Sequence, residues 1–299
     1  MANNQIRLNK KYTLRIQKQD LDGNRLNEEY VITNPITVKI SVIRNIYSGV
    51  SDMNIDIYNL SPTKRNMIFK DWFFDIKKED ILYISLFAGY DDKNQHCLFL
   101  GDIWNAYITR VGTDIITRIQ AKCGLRNMTQ EVDYTFSADA TNKDVIEYCI
   151  SKLHNLNVGH ISIDEKKLQE QTTISGKPLA IIKQYSPGKN VYVDAGVVNI
   201  LAPNEGFVAY VPLINDKSGL LNAPSRKPAT VTIQTMFMPE LVVGQIIEVN
   251  SQLSPQFNGQ YRIFGIRHEG VISDAVESTM KTTIEMNVGS ELYGNFKPI

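Results

Sequence analysis

The chain has 299 residues, 43% of them hydrophobic and 21% charged, and its formal net charge is zero. That length holds two or three domains, and the balance is ordinary for a packed globular protein. Zero net charge without an acidic tail excludes a global field for gripping nucleic acid, so bulk electrostatics name no partner.

Met1 to Lys10 is polar and predicts an arm or a mobile end. Tyr12, Leu14 and Ile16 alternate with Thr13, Arg15 and Gln17, the period of a half-buried strand. Lys18 to Glu29 predicts a loop with a turn at Asp22-Gly23-Asn24, and Tyr30 to Ile32 a short returning strand. Ile36, Val38, Ile40 and Val42 then alternate with Thr37, Lys39 and Ser41, and Met53, Ile55 and Ile57 with Asn54, Asp56 and Tyr58. Ser61-Pro62 predicts a helix start, with the Ser61 hydroxyl as cap and Pro62 at the first position, running to Lys70. Ile81 to Phe87 is apolar on both faces and predicts a central strand. The stretch from Phe99 to Gly124 reads as two strands meeting at Arg110-Val111-Gly112-Thr113, where Gly112 supplies positive φ for a tight hairpin. Strands around one short helix predict a small closed or nearly closed barrel.

From Leu125 the character changes. Thr141-Asn142-Lys143-Asp144 has the form of a capping box, with Asp in place of the preferred Glu. Val145, Ile146, Cys149, Ile150 and Leu153 follow at helical spacing. His160 to Ile163 predicts a strand, Ser175-Gly176-Lys177-Pro178 opens a second helix over Leu179 to Tyr185, and Val191 to Ile200 predicts a hairpin around Asp194 to Gly196. Strand patterns return at Thr230 to Met236, Ile246 to Val249, Tyr261 to His268 and Lys281 to Val288, with Asn258-Gly259 as a hairpin turn. Residues after Glu291 read as a tail.

The order of these strand ends resembles the bacteriophage baseplate or tail hub family. The shared elements in the first half are Ile57-Tyr58-Asn59-Leu60-Ser61 before a helix, Ala88-Gly89-Tyr90, Gly101-Asp102-Ile103 and Gly112-Thr113-Asp114. In the second half they are Pro239, Leu241 and Gly244; Gly259, Tyr261 and Ile263, where the family has Val; and His268 with Gly270. This is similar to the late-control-D-like hubs and the N-terminal hub part of contractile-injection spike proteins.

The resemblance implies a mainly β fold with a small α+β insert and two related antiparallel β-barrels. It divides the chain into a first hub barrel over 1–125, the insert over 126–215, and a second hub barrel with the C-terminal tail over 216–299. It implies a structural hub at the distal end of a phage tail, in the virion baseplate and made in the host cytoplasm. The hub so implied is a homotrimer whose pseudo-six-fold ring joins the six-fold tail tube protein to the three-fold central spike protein. Baseplate wedge or other tail-tip proteins are the further partners the resemblance implies, and the implied ring is one through which DNA or another cargo can pass without specific binding.

Chemistry is sparse. There is no G-x-S-x-G, P-loop, H-E-x-x-H or C-x-x-C, so no catalytic, cofactor-binding or metal-ligating residue is expected, and no cofactor. Cys97, Cys123 and Cys149 are too few and too spread for a disulfide framework and fit a reducing cytosol. The opening MANNQIRLNKKY lacks the apolar segment of a secretory signal, and no run suffices for a membrane span. His96 and Cys97 point to opposite strand faces and make poor joint ligands. His154 near a helix end favours the dipole, and His268 beside Arg267 and Glu269 predicts a polar cluster at a strand end. Asp52 with Asp56, Asp71 with Asp75 and Asp91 with Asp92 are close in sequence, and a glycosidase needs facing carboxylates about 5 to 9 Å apart. Solvation is the expected state of Asp52 and Asp56 on their polar face. Trp72-Phe73-Phe74 is a sugar platform or a contact, with core packing expected for at least two of the three. Two rivals remain beside the hub: a tail-associated cell-wall hydrolase, which lacks its motif, and a receptor-binding tail module, which needs an exposed aromatic groove.

Overall fold

The computed structural model describes residues 10–20, 23–26, 29–71, 81–128, 130–227, 230–287 and 297–298. Residues 1–9, Asp22, Trp72, Phe73, Phe74 and Asp75, and most of the segment after Glu291, lie outside the described residues.

The first half runs β1 (Lys11–Gln19), β2 (Tyr30–Thr33), β3 (Val38–Asn45), β4 (Asp52–Tyr58), α1 (Pro62–Ile68), β5 (Lys70–Asp71), β6 (Ile81–Gly89), β7 (Gln95–Val111) and β8 (Asp114–Lys122). The insert carries β9 (Val132–Phe136), α2 (Asn142–Ser151), β10 (Asn157–Ile161), β11 (Thr172–Gly176), α3 (Pro178–Tyr185), β12 (Asn190–Asp194) and β13 (Val197–Leu201). The remainder holds β14 (Glu205–Gly206), β15 (Leu213–Asn215), β16 (Ser225–Arg226), β17 (Thr230–Met236), β18 (Ile246–Asn250), β19 (Gly259–Ile272), β20 (Lys281–Asn287) and β21 (Lys297–Pro298).

The alternations expected in β1, β3 and β4 are the ones that pack. Leu14 and Ile16, Val38, Ile40 and Val42, and Met53, Ile55 and Ile57 are all buried. β6 lies between β1 and β7, the interior position its two apolar faces demand. Gly112 turns β7 into β8 at φ 61.

The main chain of strands is a single path, β16-β17-β20-β19-β3-β4-β8-β7-β6-β1-β2. β3 is its hinge point: it pairs antiparallel with β4 on one edge and with β19 on the other. The two predicted barrel regions therefore share one sheet.

Two apolar cores lie beneath it. One joins β1, β3, β4 and β6 to the insert, where Val145, Ile146, Cys149 and Ile182 meet Val191, Val198 and Ile200. The other gathers Val231, Ile233, Val249, Tyr261, Ile263, Ile284 and Met286.

Thr141 caps α2 as predicted. Its hydroxyl accepts the Asp144 N–H at 3.2 Å, and the Asp144 carboxylate accepts the Thr141 N–H at 2.7 Å. These bonds hold the Asp144 carboxyl below its ordinary value.

Several expectations change. Ser61 makes no side-chain cap bond; Pro62 already removes one donor from the first turn, and α1 ends at Ile68 rather than Lys70. Asn258-Gly259 is not a two-residue turn. A 3-10 turn at Pro255–Phe257 fills the connection, and Asn258 is extended, its side chain accepting the Ser251 N–H at 2.7 Å. Ser175 and Gly176 close β11 instead of opening a helix, and β11 pairs β9, a strand the sequence did not announce. The strand expected at His160 to Ile163 is Asn157–Ile161, and Lys297–Pro298 pairs in parallel with Glu205–Gly206.

Candidate interaction surface

The face of the sheet opposite the cores is polar across seven strands, from β7 through β8, β4, β3, β19 and β20 to β17. One row of register partners reads Asn105, Gln120, Asn54, Ser41, Glu269, Lys281, Met236. The next reads Lys122, Asp52, Ile43, Arg267, Thr283, Gln234. A third runs Tyr107, Arg118, Asp56, Lys39. Period two in each strand sends these side chains to one face while Ile40, Ile55 and Ile119 fill the other.

Opposite charges stand across from one another. Arg118 lies 3.5 Å from Asp56, Lys122 3.4 Å from Asp52 and Lys281 3.4 Å from Glu269. Asn105 donates to Gln120 at 3.0 Å, and Gln120 to Asn54 at 3.3 Å. Such pairs contribute little stability, and each cancels the field of its own two members; Lys39 and Arg267 stand in the same rows, so these rows hold five cations to three carboxylates.

Behind the wall the three parts of the chain are tied by buried charge. Arg44 continues the inward stripe of β3 and meets Asp194 at the end of β12. Arg126 grips Asp102 at 2.7 Å and Gln19 at 2.9 Å. Arg262 donates to the carbonyls of Ala202 and Glu205 at 2.9 and 2.7 Å. Burial lowers the Arg262 pKa. For Glu205, burial raises the pKa, but bonds from the Ala202 N–H and the Ser162 hydroxyl bring it below its ordinary value. Sequence reasoning passed over the three arginines. For Arg44 the signal was present: it falls on the same parity as Val38, Ile40 and Val42.

The singled-out residues do not converge. His268 is fully buried in the middle of β19, not in a polar strand-end cluster, because its parity opposes that of Arg267 and Glu269. Its Nδ1 lies 3.0 Å from the Thr282 hydroxyl and its ring meets the edge of Phe237. Burial and then Arg44 push its pKa well below the usual value. Asp52 and Asp56 are engaged by Lys122 and Arg118 on the wall. Asp91 caps its own turn, accepting the N–H groups of Lys93 and Asn94. His96 is exposed while Cys97 is half-buried. His154 lies beyond the last residue of α2, Ser151, and gives its backbone N–H to Asn127. The thiols are free, and burial raises Cys97 and Cys149 to about 11 and Cys123 to about 12. Among the described residues no group of three or more His, Cys, Asp or Glu can hold a metal, and no helix is long and apolar enough to cross a membrane.

A continuous β wall with a paired polar face thus lies over a tightly tied interior. The chain belongs to the family described as Baseplate hub gp41, which matches residues 13–276, and so to the structural proteins of the phage tail baseplate. No curated protein matches it. Among solved structures it resembles the 43 kDa tail protein of prophage MuSo2 from Shewanella oneidensis, at 8% identity and TM-score 0.60, over 92% of this chain and 96% of that one. It also resembles a tail protein from Neisseria meningitidis MC58, at 7% identity and TM-score 0.58, over 96% and 99%. A third is the E. coli c3393 protein, a component of the type VI secretion system, at 12% identity and TM-score 0.56, over 87% and 76%. At these identities the likeness is one of fold.

Proposed function

We propose that three copies of this chain close into a ring in which the two β parts, 1–125 and 216–299, take alternating, similar places. The ring has pseudo-six-fold symmetry, so one side matches a six-fold tail tube and the other a three-fold central spike. The symmetry mismatch is absorbed by interfaces, with no catalysis. The observation that carries this is the shared sheet: one polar, charge-paired face runs without a break through both β parts.

Turned toward the axis, that face forms a polar channel wall whose cations are mostly paired with carboxylates, so a hydrated polyanion such as DNA meets little free positive charge and is not gripped. The insert, 126–215, lies outside the ring and reaches wedge or other tail-tip proteins. Exposed Met67 and Phe69 at the end of α1, with Ile108 and Val111 near the β7–β8 tip, are available to the apolar interfaces such a ring needs.

The test is the mass of the purified chain by light scattering, followed by images down the symmetry axis. A trimer with Asp52, Asp56, Arg267 and Glu269 lining the hole is expected. A monomer at every concentration, or a ring with this face outward, overturns the proposal.

A further inference from the structure

We infer that the groove over the face of β1 and β6 turned away from the core binds a neutral oligosaccharide.

The groove encloses about 660 Å³, a volume within the range of small-molecule sites. Its floor is set by strand parity. Leu14 and Ile16 of β1 and Ile84 and Leu86 of β6 pack inward, so Gln17, Tyr83, Ser85 and Phe87 stand on the other face. Gln17 is the register partner of Tyr83, and Ser85 that of Leu100 on β7. At the strand rise, Ser85 lies about 7 Å along β6 from Tyr83 and from Phe87. The loop after β1 forms a wall and is tied down: the Leu26 N–H donates to the Lys18 carbonyl at 2.9 Å, and Arg15 meets Glu29 at 2.8 Å. The insert contributes Asn155, which donates to the Gln19 amide oxygen at 2.8 Å.

The floor holds polar groups that the protein itself leaves without partners. Gln17 is 5% exposed and Ser85 7%. Among the described residues the Ser85 hydroxyl has no hydrogen-bond partner. Gln17 accepts one long bond from the Gln19 amide, at 3.4 Å, and its own N–H groups have no acceptor. The Tyr83 hydroxyl has no partner either, and burial pushes its pKa well up, so it stays protonated. Buried polar groups without partners cost stability, and a ligand that supplies the missing bonds offsets that cost. Phe87 and Leu100, both half-buried, add apolar surface beside them.

This chemistry selects the occupant. β1 pairs with β2 and β6, and β6 with β1 and β7, so the floor offers no free main-chain row to a peptide strand. Arg15 is held by Glu29, and Arg25, Asp92 and Lys93 are exposed. An anion therefore meets no buried, unpaired cation among the lining residues. A sugar fits what remains. Each of its hydroxyls both donates and accepts, which matches an amide N–H and two hydroxyls, and its C–H face packs on an aromatic ring.

The probes are cellotetraose, maltotetraose, mannotetraose and tetra-N-acetylchitotetraose, each titrated to millimolar concentration into the full chain with labelled Leu methyl groups and labelled Tyr and Phe rings. Saturable shifts at Tyr83, Phe87 and Leu100 are expected with at least one of them. Ser85→Ala and Tyr83→Phe delete hydroxyls that bond nothing in the protein. Each should leave the melting point unchanged and weaken binding of that sugar about threefold to tenfold. No saturable shift with any of the four sugars, or equal binding by the parent and both variants, overturns the inference. Shifts at these residues with inorganic phosphate or triglutamate, and with none of the sugars, overturn it as well.

Discussion

The Arg44 guanidinium grips the Asp194 carboxylate with two nearly parallel bonds, Nε to Oδ1 at 2.7 Å and Nη2 to Oδ2 at 2.9 Å. Nη2 also donates to the Leu241 carbonyl at 3.1 Å, and Asp194 accepts the Val243 N–H at 3.1 Å. One buried pair thus joins β3, the β12–β13 hairpin and the segment before β18. Its forked geometry is the strong form of a charge-assisted bond.

Removing one member strands the other in the interior. Asp194→Asn and Arg44→Met should each cost about 3–5 kcal/mol, and the double variant much less than their sum. Urea unfolding of the three variants measures this. Additive losses would show that the pair is not coupled.

The strand faces can be tested by charge insertion. Ile57 and Ile84 are both fully buried. Ile57→Asp and Ile84→Asp each place an unpaired carboxylate in the core, at a cost on the order of several kcal/mol. Both variants should fail to give soluble, cooperatively melting protein, and unchanged melting of either would show that its strand faces the other way.

Thr141→Ala removes one half of the capping box on α2 and should cost about 0.5–2 kcal/mol. Faster hydrogen exchange at the first-turn amides, Asp144 among them, is the local readout. A lowered melting point without that change would place the effect elsewhere.

His268 predicts an acid sensitivity. Its folded pKa is depressed, so the folded state keeps it neutral while the unfolded chain takes up a proton below its ordinary value of 6.5. The stability it supports is complete above that value and declines as the pH falls below it, by up to about 1.4 kcal/mol per pH unit. Arg44 is the charged group that opposes its protonation. His268→Asn keeps an amide near Thr282 and should be less stable at pH 7, with a shallower loss between pH 6.5 and 5. An equal slope in both proteins would assign the acid loss to other groups.

Much of this architecture is written in short-range pattern. Period two placed the inward faces of β1, β3 and β4, and the Thr141-Asp144 spacing fixed the start of α2. Gly112 marked a hairpin because backbone sterics act within a few residues. Where two local signals competed, pattern alone misjudged. Asn258-Gly259 has the composition of a tight turn, yet the Asn258 side chain is drawn to the Ser251 N–H. His268 was grouped with its chain neighbours although strand geometry sends it the opposite way.

What the sequence by itself determined, then, is which residues face inward, where the turns and the capped helix fall, and a family resemblance held in the order of strand ends. Tertiary structure decided the rest. It joined β3 to β19, paired Arg44 with Asp194, and aligned the polar rows of seven strands into one wall. Pairing between strands more than 200 positions apart has no periodic trace in the chain. It is selected only when complementary edges and buried charges meet in the folded state, where a donor without a partner would cost more than the chain can spare.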